Sequence, residues 1–524
     1  MLKHFDRATG VLGAASRRRG ADSGYFNGLP AAVRTVWRAR LITSMVARPM
    51  RLLFVTPELT PYSGSTPIGD ACGALPKALR GRGHEVTVLS PLYGFIDPVD
   101  SSLARRLRKV EVELGSGSSA FTVFDARTAA GVDLLFLGHE ELFGDLEDVP
   151  LDDADPAVGK CFGAFAKAAL EVIRSDADGY DGVICVDWQT ALVPLLAKHE
   201  GLDVATVLLV SDVRRQGRFE RDLMGELGLD DSLFSIDGLE FYGKLCFLKG
   251  GVQAADRVTT VSPSYATEVV QYADGLEGAF KARGKEFLGI VGGVDTALWN
   301  PATDAHLESR FDPMDLSGKK RCKAAFQQEA GFPVRDDLPL IVALGTITAD
   351  SGLDVLARIG GRVLRNDVQI AIIAEGDEVD DDLLDVLGEH AERWPDRVYL
   401  ADDPDTGAVH RALSAADLVL VEPSQDPGGA TQLRAHRYGA LPIGLRAGAL
   451  ADTVVDCDAK LSTGTGFTYD EASDDVILAT VQRGVASFAK RSAFEKVRQQ
   501  AMRSDQGWER SAYLYERLLS SLAG

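Results

Sequence analysis

The chain has 524 residues, with 56 Lys+Arg against 77 Asp+Glu and a formal net charge of −21. Hydrophobic residues at 45% and charged residues at 25% exclude a disordered chain, and at ~100–200 residues per domain the length allows two to four domains. No apolar run reaches the ~18 residues of a membrane span, and the acidic balance argues against nucleic acid or an anionic membrane as the main partner.

The first 50 residues run against that balance. They carry nine Lys/Arg and two acids, a net +7 that leaves −28 for the remainder. Such a basic, weakly patterned stretch fits a disordered tail or an over-extended start ahead of Met45 or Met50, with an organelle transit peptide as the other reading. No apolar segment followed by a cleavage site marks secretion, so a cytoplasmic location is expected. The six cysteines (Cys72, Cys161, Cys185, Cys246, Cys322, Cys457) are dispersed without a C-x-x-C pair, which points to buried small hydrophobes in a reducing compartment.

From residue 52 the pattern alternates strand and helix. Leu52–Val55 is a short apolar run ending at Thr56-Pro57. A loop rich in Gly, Ser and Pro leads to a helix from Asp70 to about Arg82, with Asp70 a candidate N-cap. Glu85–Leu89 is the next strand, stopped by Pro91. Gly182–Val186, Val204–Val210 and Arg257–Val261 follow as strands, with a helix after the first of them through Lys198. Residues 297–337 contain Asn300-Pro301, Asp312-Pro313 and Phe332-Pro333, as a connector would. A second cycle then begins: strands at Leu338–Leu344, Gln369–Ile373, Arg397–Leu400, Leu418–Val421 and Leu441–Leu445, with a helix from Leu353. The acidic stretch from Glu375 to Asp385 reads as a solvated helix start rather than a Ca²⁺ loop. This grammar predicts an α/β protein of two doubly wound Rossmann-like domains, with ligands at the carboxyl ends of the strands, in the cleft between them.

Several motifs, in order, carry a resemblance. They are Gly69-Asp70 with Gly73-Ala74-Leu75-Pro76-Lys77, Asp187-Trp188-Gln189-Thr190, Glu240-Phe241-Tyr242-Gly243 with Phe247-Leu248-Lys249, and Ala255-Asp256-Arg257-Val258. Trp299-Asn300-Pro301, Ala451-Asp452-Thr453-Val454 and Trp508-Glu509-Arg510-Ser511 complete the series. From about residue 50 to 520 the chain resembles the bacterial glycogen synthase and plant starch synthase family. The resemblance implies the glycosyltransferase-B architecture and retaining transfer of glucose from ADP-glucose to an α-1,4-glucan, with neither metal nor cofactor. It also implies an acceptor-side domain at 50–296, a connector at 297–337 and a nucleotide-sugar domain at 338–505. A terminal helix at 506–524 would cross back onto the first domain, after a tail at 1–49.

The positions that would handle the donor depart from the family. A leaving diphosphate needs Arg, Lys or aimed N–H groups when no metal is used. Where the family places an Arg and a Lys, the loop Gly345 to Gly352 has Thr346 and Ser351, and it adds Asp350. The first-domain Lys is replaced by Gly64, five residues before Gly69, and Pro67 removes an N–H. The His expected before Asp187 is Val186, the sugar-binding Asp is Gly138, and the Asn before Gly293 is Gly292. A His-Asn pair is Ser211-Asp212, and the catalytic-region Glu is Asp426, one residue short of register. Gly429, Thr431 and Gln432 match positions facing the donor phosphates, where a helix N-terminus could still take an anion. Asp70 and Glu58 are candidates for sugar hydroxyls.

Cations that could compensate are Arg214 and Arg215, in the loop after Asp212, and Arg446. Trp188 reads as core, and His410 and His436 as structural. Two functions follow. One is a divergent glucosyltransferase with altered donor or mechanism, which needs Arg214, Arg215 or Arg446 at the cleft. The other, favoured by the selective loss of donor-handling groups, is a non-catalytic relative that binds α-glucan or a nucleotide sugar, or acts on a partner synthase.

Overall fold

The short apolar runs of the sequence become the parallel strands of two sheets. The computed structural model describes residues 48–64, 67–150, 153–348, 352–422 and 426–522. The reading of residues 1–49 as a tail lies, but for its last two residues, outside the described residues, as do Asp350 and Ser351.

The first sheet contains β1 (Arg51–Val55), β2 (Glu85–Leu92), β3 (Ala104–Leu114), β4 (Gly117–Arg127), β5 (Asp133–Gly138), β6 (Gly182–Val186) and β7 (Ala205–Val210). A small ribbon of β8 (Arg218–Phe219), β9 (Glu240–Phe241) and β10 (Lys244–Cys246) intervenes. The strands β11 (Arg257–Thr260) and β12 (Phe287–Gly289) then complete the sheet. Its order is β12-β11-β7-β6-β1-β2-β5-β4-β3, parallel except where β4 pairs with β3 and β5. β2 continues through Pro91 to Leu92, because its neighbour β1 has ended at the Val55–Leu89 pair and no ladder bond there needs the missing N–H. The helix α1 (Pro67–Gly81) begins three residues before the position read from sequence, with the fixed φ of proline suited to its first turn. Asp70 therefore lies inside that turn and is not the N-cap.

The second sheet contains β13 (Leu340–Ile347), β14 (Gln369–Val379), β15 (Val398–Ala401), β16 (Leu418–Val421), β17 (Leu441–Leu445) and β18 (Phe467–Tyr469). Its order, β15-β14-β13-β16-β17-β18, is wholly parallel and doubly wound, with the direction of winding reversing between β13 and β16. Period-two alternation builds a core on each face. Ile341, Ala343, Ile370, Ile372, Leu418 and Leu420 point one way, while Val342, Leu344, Ala371, Ile373, Val419 and Val421 point the other. The connector is not bare chain: α2 (Ser317–Glu329) buries Cys322 and Phe326 against the second of these cores. β14 outruns the apolar run to Val379, so Glu375 stands on a strand. Only Asp380 onward starts the helix α3 (Asp381–Arg393), with the Asp380 carboxylate accepting from the Leu383 N–H.

The helix α4 (Ala430–Arg437) is the next helix after β16 along the chain. The last helix, α5 (Glu509–Ser520), packs Ala512, Tyr515, Leu518 and Leu519 into the first-sheet core. The Tyr515 hydroxyl meets Thr259 Oγ1 at 3.0 Å, and Glu516 pairs with Arg82. All six cysteines are buried and unpaired. Among the described residues, no helix is long and apolar enough to cross a membrane.

Candidate functional site

The carboxyl ends of β1, β6 and β7 in one sheet and of β13, β14 and β16 in the other face a common cleft of about 1290 Å³. Of the residues singled out from sequence, Gly64, Asp70, Asp187, Gly292, Thr346, Asp426 and Thr431 line it, as do Arg214 and Arg215. Gly69, Gly138, Val186, Gly429, Gln432 and Arg446 do not. Val186 is fully buried inside β6. Gly69 lies beneath Gly64, where a Cβ would come 2.8 Å from the Gly64 Cα. A Cβ at Gly138 would rest on the Leu92 side chain at 3.2 Å. Arg446 is not a cleft cation: it pairs with Asp470 at 3.2 Å and donates to Thr468 Oγ1 at 2.8 Å.

Asp187 opens the helix after β6 with φ of +57°, a left-handed residue held in place by its own hydrogen bonds. Its two oxygens accept from the Ser211 N–H and Oγ, both at 2.6 Å. Burial pushes the carboxyl up to about 6, and the Ser211 hydrogen bonds only partly offset this. Trp188 next to it is 1% exposed and belongs to an aromatic core with Phe162, Phe219 and Phe247. Gly217 (φ +65°) allows that packing, since a Cβ there would come 2.4 Å from Trp188 Cε3. Lys249 donates to the carbonyls of Ile236 and Gly238, and Lys77 pairs with Asp295 at 2.9 Å, so both retained lysines have structural partners.

Asp426 is spent within its own loop. Its Oδ1 accepts from the Gly429 N–H and its Oδ2 from the Thr431 N–H, each at 2.8 Å. The carboxylate therefore occupies N–H donors at the start of α4, where the sequence suggested an external anion. Across the cleft, Arg214 is gripped by its neighbour: three hydrogen bonds of 2.7–3.0 Å tie its guanidinium to the Asp212 carboxylate.

Sequence reasoning missed Arg434. It lines the cleft with its side chain only 8% exposed, three residues and nearly one helical turn beyond Thr431. Its Nη2 donates to Asp70 at 2.6 Å and its Nη1 to Glu375 at 3.4 Å, while the guanidinium lies 4.3 Å over the Trp299 ring. Trp299 also donates from Nε1 to Asp70 at 3.3 Å and stacks on His410 at 4.1 Å. His410 contacts Asp304, and His436 contacts the Thr465 carbonyl, so both histidines are structural as read. The other missed feature is the charge of the wall: among the described residues, ten carboxylates and three guanidiniums line the cleft. Acids from the 145–148 loop, far from any recognised motif, contribute to that excess. Among the described residues, no group of three His, Cys, Asp or Glu is placed to hold a metal ion.

Comparison with known proteins decides the family. The starch synthase catalytic domain family matches residues 51–282. A glycogen synthase of Anaeromyxobacter sp. (strain Fw109-5) is 36% identical over 485 residues, covering 90% of this chain and all of that one. This chain belongs to the glycogen/starch synthase family. A glycogen synthase of Geobacillus stearothermophilus is 30% identical over 488 residues, covering 90% of this chain and 98% of its own. The catalytic domain of starch synthase IV from Arabidopsis thaliana, solved with ADP and acarbose, superposes with a TM-score of 0.83 at 25% identity. That match covers 91% of this chain and all of that one. The fold is accordingly glycosyltransferase-B.

Proposed function

We propose that this chain is a non-catalytic member of its family, which keeps the two-domain fold to bind an α-glucan or to act on a working synthase as a partner. The observation that carries the reading is Asp426: its carboxylate sits on the Thr431 N–H at the cleft wall, a group that would otherwise be open to a donor phosphate, and accepts from the Gly429 N–H as well. The cleft wall supports it. At ~8 Å and an effective dielectric near 20, each uncompensated carboxylate costs about 2 kcal/mol per unit of ligand charge, and a nucleoside diphosphate brings at least two such units. The family donor, ADP-glucose, is thus disfavoured by the wall as well as by the filled N–H positions. A neutral glucan pays no such cost.

The test is turnover with ADP-glucose and glycogen, alongside retardation of the protein in glycogen-containing native gels. Retardation without glucose transfer or donor hydrolysis is expected. Turnover at the rate of an ordinary synthase overturns the reading.

A second reading, a divergent glucosyltransferase, is favoured by one observation: Arg214 and Arg215 do reach the cleft wall. It requires that charge reversal of both abolish a measurable transfer activity. The bond between Arg214 and Asp212 weighs against it, since that guanidinium is already neutralised.

A further inference from the structure

Two open α/β domains joined by a connector are free to hinge unless something bridges them. Here two seams cross the cleft. On one, Asp452 accepts from the Ser264 N–H and Oγ, both at 2.9 Å, and Glu268 accepts from the Gly448 N–H at 2.9 Å. The Asp452 bonds are exposed, so water competes for them. The other seam is partly buried. Asp70, on α1 of the first domain, meets Arg434 of the second domain at 2.6 Å and Trp299 Nε1 of the connector at 3.3 Å. Seven residues along the same face of α1, Lys77 holds Asp295 at 2.9 Å, within the first domain just before the connector.

We propose that Arg434 is a built-in latch that holds the two domains closed over the cleft without any nucleotide sugar, by pairing across it with Asp70. Three features suit it to that role. Glu375 anchors the same guanidinium on the second domain, Trp299 fixes its plane from one face, and the side chain is nearly all out of water, where a charge-assisted bond is strongest. A ligand that needs an open cleft must then break a desolvated ion pair before it enters.

The proposal is independent of whether the chain turns over a donor, because its readout is a distance. The native cysteines are buried, so spin labels can be placed at Asp100→Cys and Glu389→Cys, exposed positions on the two domains. Double electron–electron resonance on the ligand-free full chain should give one narrow distance distribution, unchanged by millimolar ADP-glucose. Arg434→Met should broaden it, with the open-to-closed ratio rising roughly 30-fold or more. Asp70→Asn, which keeps the side chain's shape, should act in the same direction, and the double variant should open little further than either single one. A broad distribution in the unaltered protein overturns the latch. So does an unchanged distribution in Asp70→Asn, which decides the matter alone should Arg434→Met fail to fold.

Discussion

Removing the Asp426 carboxylate separates a filled anion position from an empty one. Its two oxygens accept from the Gly429 and Thr431 N–H groups at 2.8 Å. Loss of a helix-capping side chain costs ~0.5–2 kcal/mol. A buried N–H left without a partner adds about 1–3 kcal/mol, unless water reaches it. Because Asp426 lies at the cleft wall, water recovers much of the second cost, and a net loss of about 2 kcal/mol is expected for Asp426→Ala. For a domain of this size that lowers the melting temperature by about 4–8 °C. The variant also uncovers the Thr431 N–H at the start of α4, an eight-residue helix whose dipole favours an anion, while the Gly429 N–H keeps its 3.0 Å bond to the main-chain carbonyl of residue 426. ADP at ten times its dissociation constant would then return ~1.4 kcal/mol. Scanning fluorimetry of both proteins with and without millimolar ADP checks this. The unaltered chain should not respond, whereas Asp426→Ala should melt lower and be raised by ADP. An equal ADP response in the two proteins, or a variant that melts with its parent and ignores ADP, refutes the reasoning.

Two further outcomes follow from buried charge. Asp187 keeps its proton up to about pH 6 when folded, against an ordinary value of 3.8, because burial disfavours the carboxylate. The folded state thus holds a proton that the unfolded chain releases, so this group's contribution is complete below about pH 4 and falls by ~3 kcal/mol as pH rises to about 6. Urea denaturation at about pH 4.5 and 7 should show that Asp187→Asn flattens stability across that window; parallel profiles would contradict the assignment. Lys319 is 2% exposed and donates to the carbonyls of Leu413 (3.3 Å), Ser414 (3.0 Å) and Tyr438 (2.7 Å). Lys319→Met strands all three and should cost about 3 kcal/mol or more in urea denaturation; a variant as stable as its parent would mean that the carbonyls find other partners.

The sheets were legible because strand identity is a local property. Leu418–Val421 and Leu441–Leu445 are apolar on both faces, which only a buried parallel strand demands, and the structure reproduces both ranges. Strand ends were less legible, since pairing rather than composition sets them. β14 runs into the acidic stretch because Val379 pairs with Ile347 beyond a register shift, two steps along β13 against five along β14. The cleft charges were hidden for a stronger reason. Arg434 lies 364 positions from Asp70 and 59 from Glu375, and next to His436 and Arg437 it passes for one more basic residue on a surface helix. Its burial becomes visible only in the assembled fold, where it meets Asp70 of α1.

Asp426 shows how a substitution read as loss can also be a gain. The sequence alone leads one to expect a family Glu replaced here by a carboxylate one methylene shorter and one residue out of register. In the fold, that shortness lets both oxygens turn back onto Gly429 and Thr431 instead of extending into the cleft. The left-handed Gly429 (φ +76°) presents the first of those N–H groups, and a Cβ there would come 1.9 Å from the Gln432 amide nitrogen. A Glu at position 426 would have to fold its extra methylene back to make the same pair of bonds, with more side-chain entropy to lose. Restoring Glu alone therefore returns a carboxylate to the cleft only by uncapping α4, so Asp426→Glu should lower stability without bringing back donor binding.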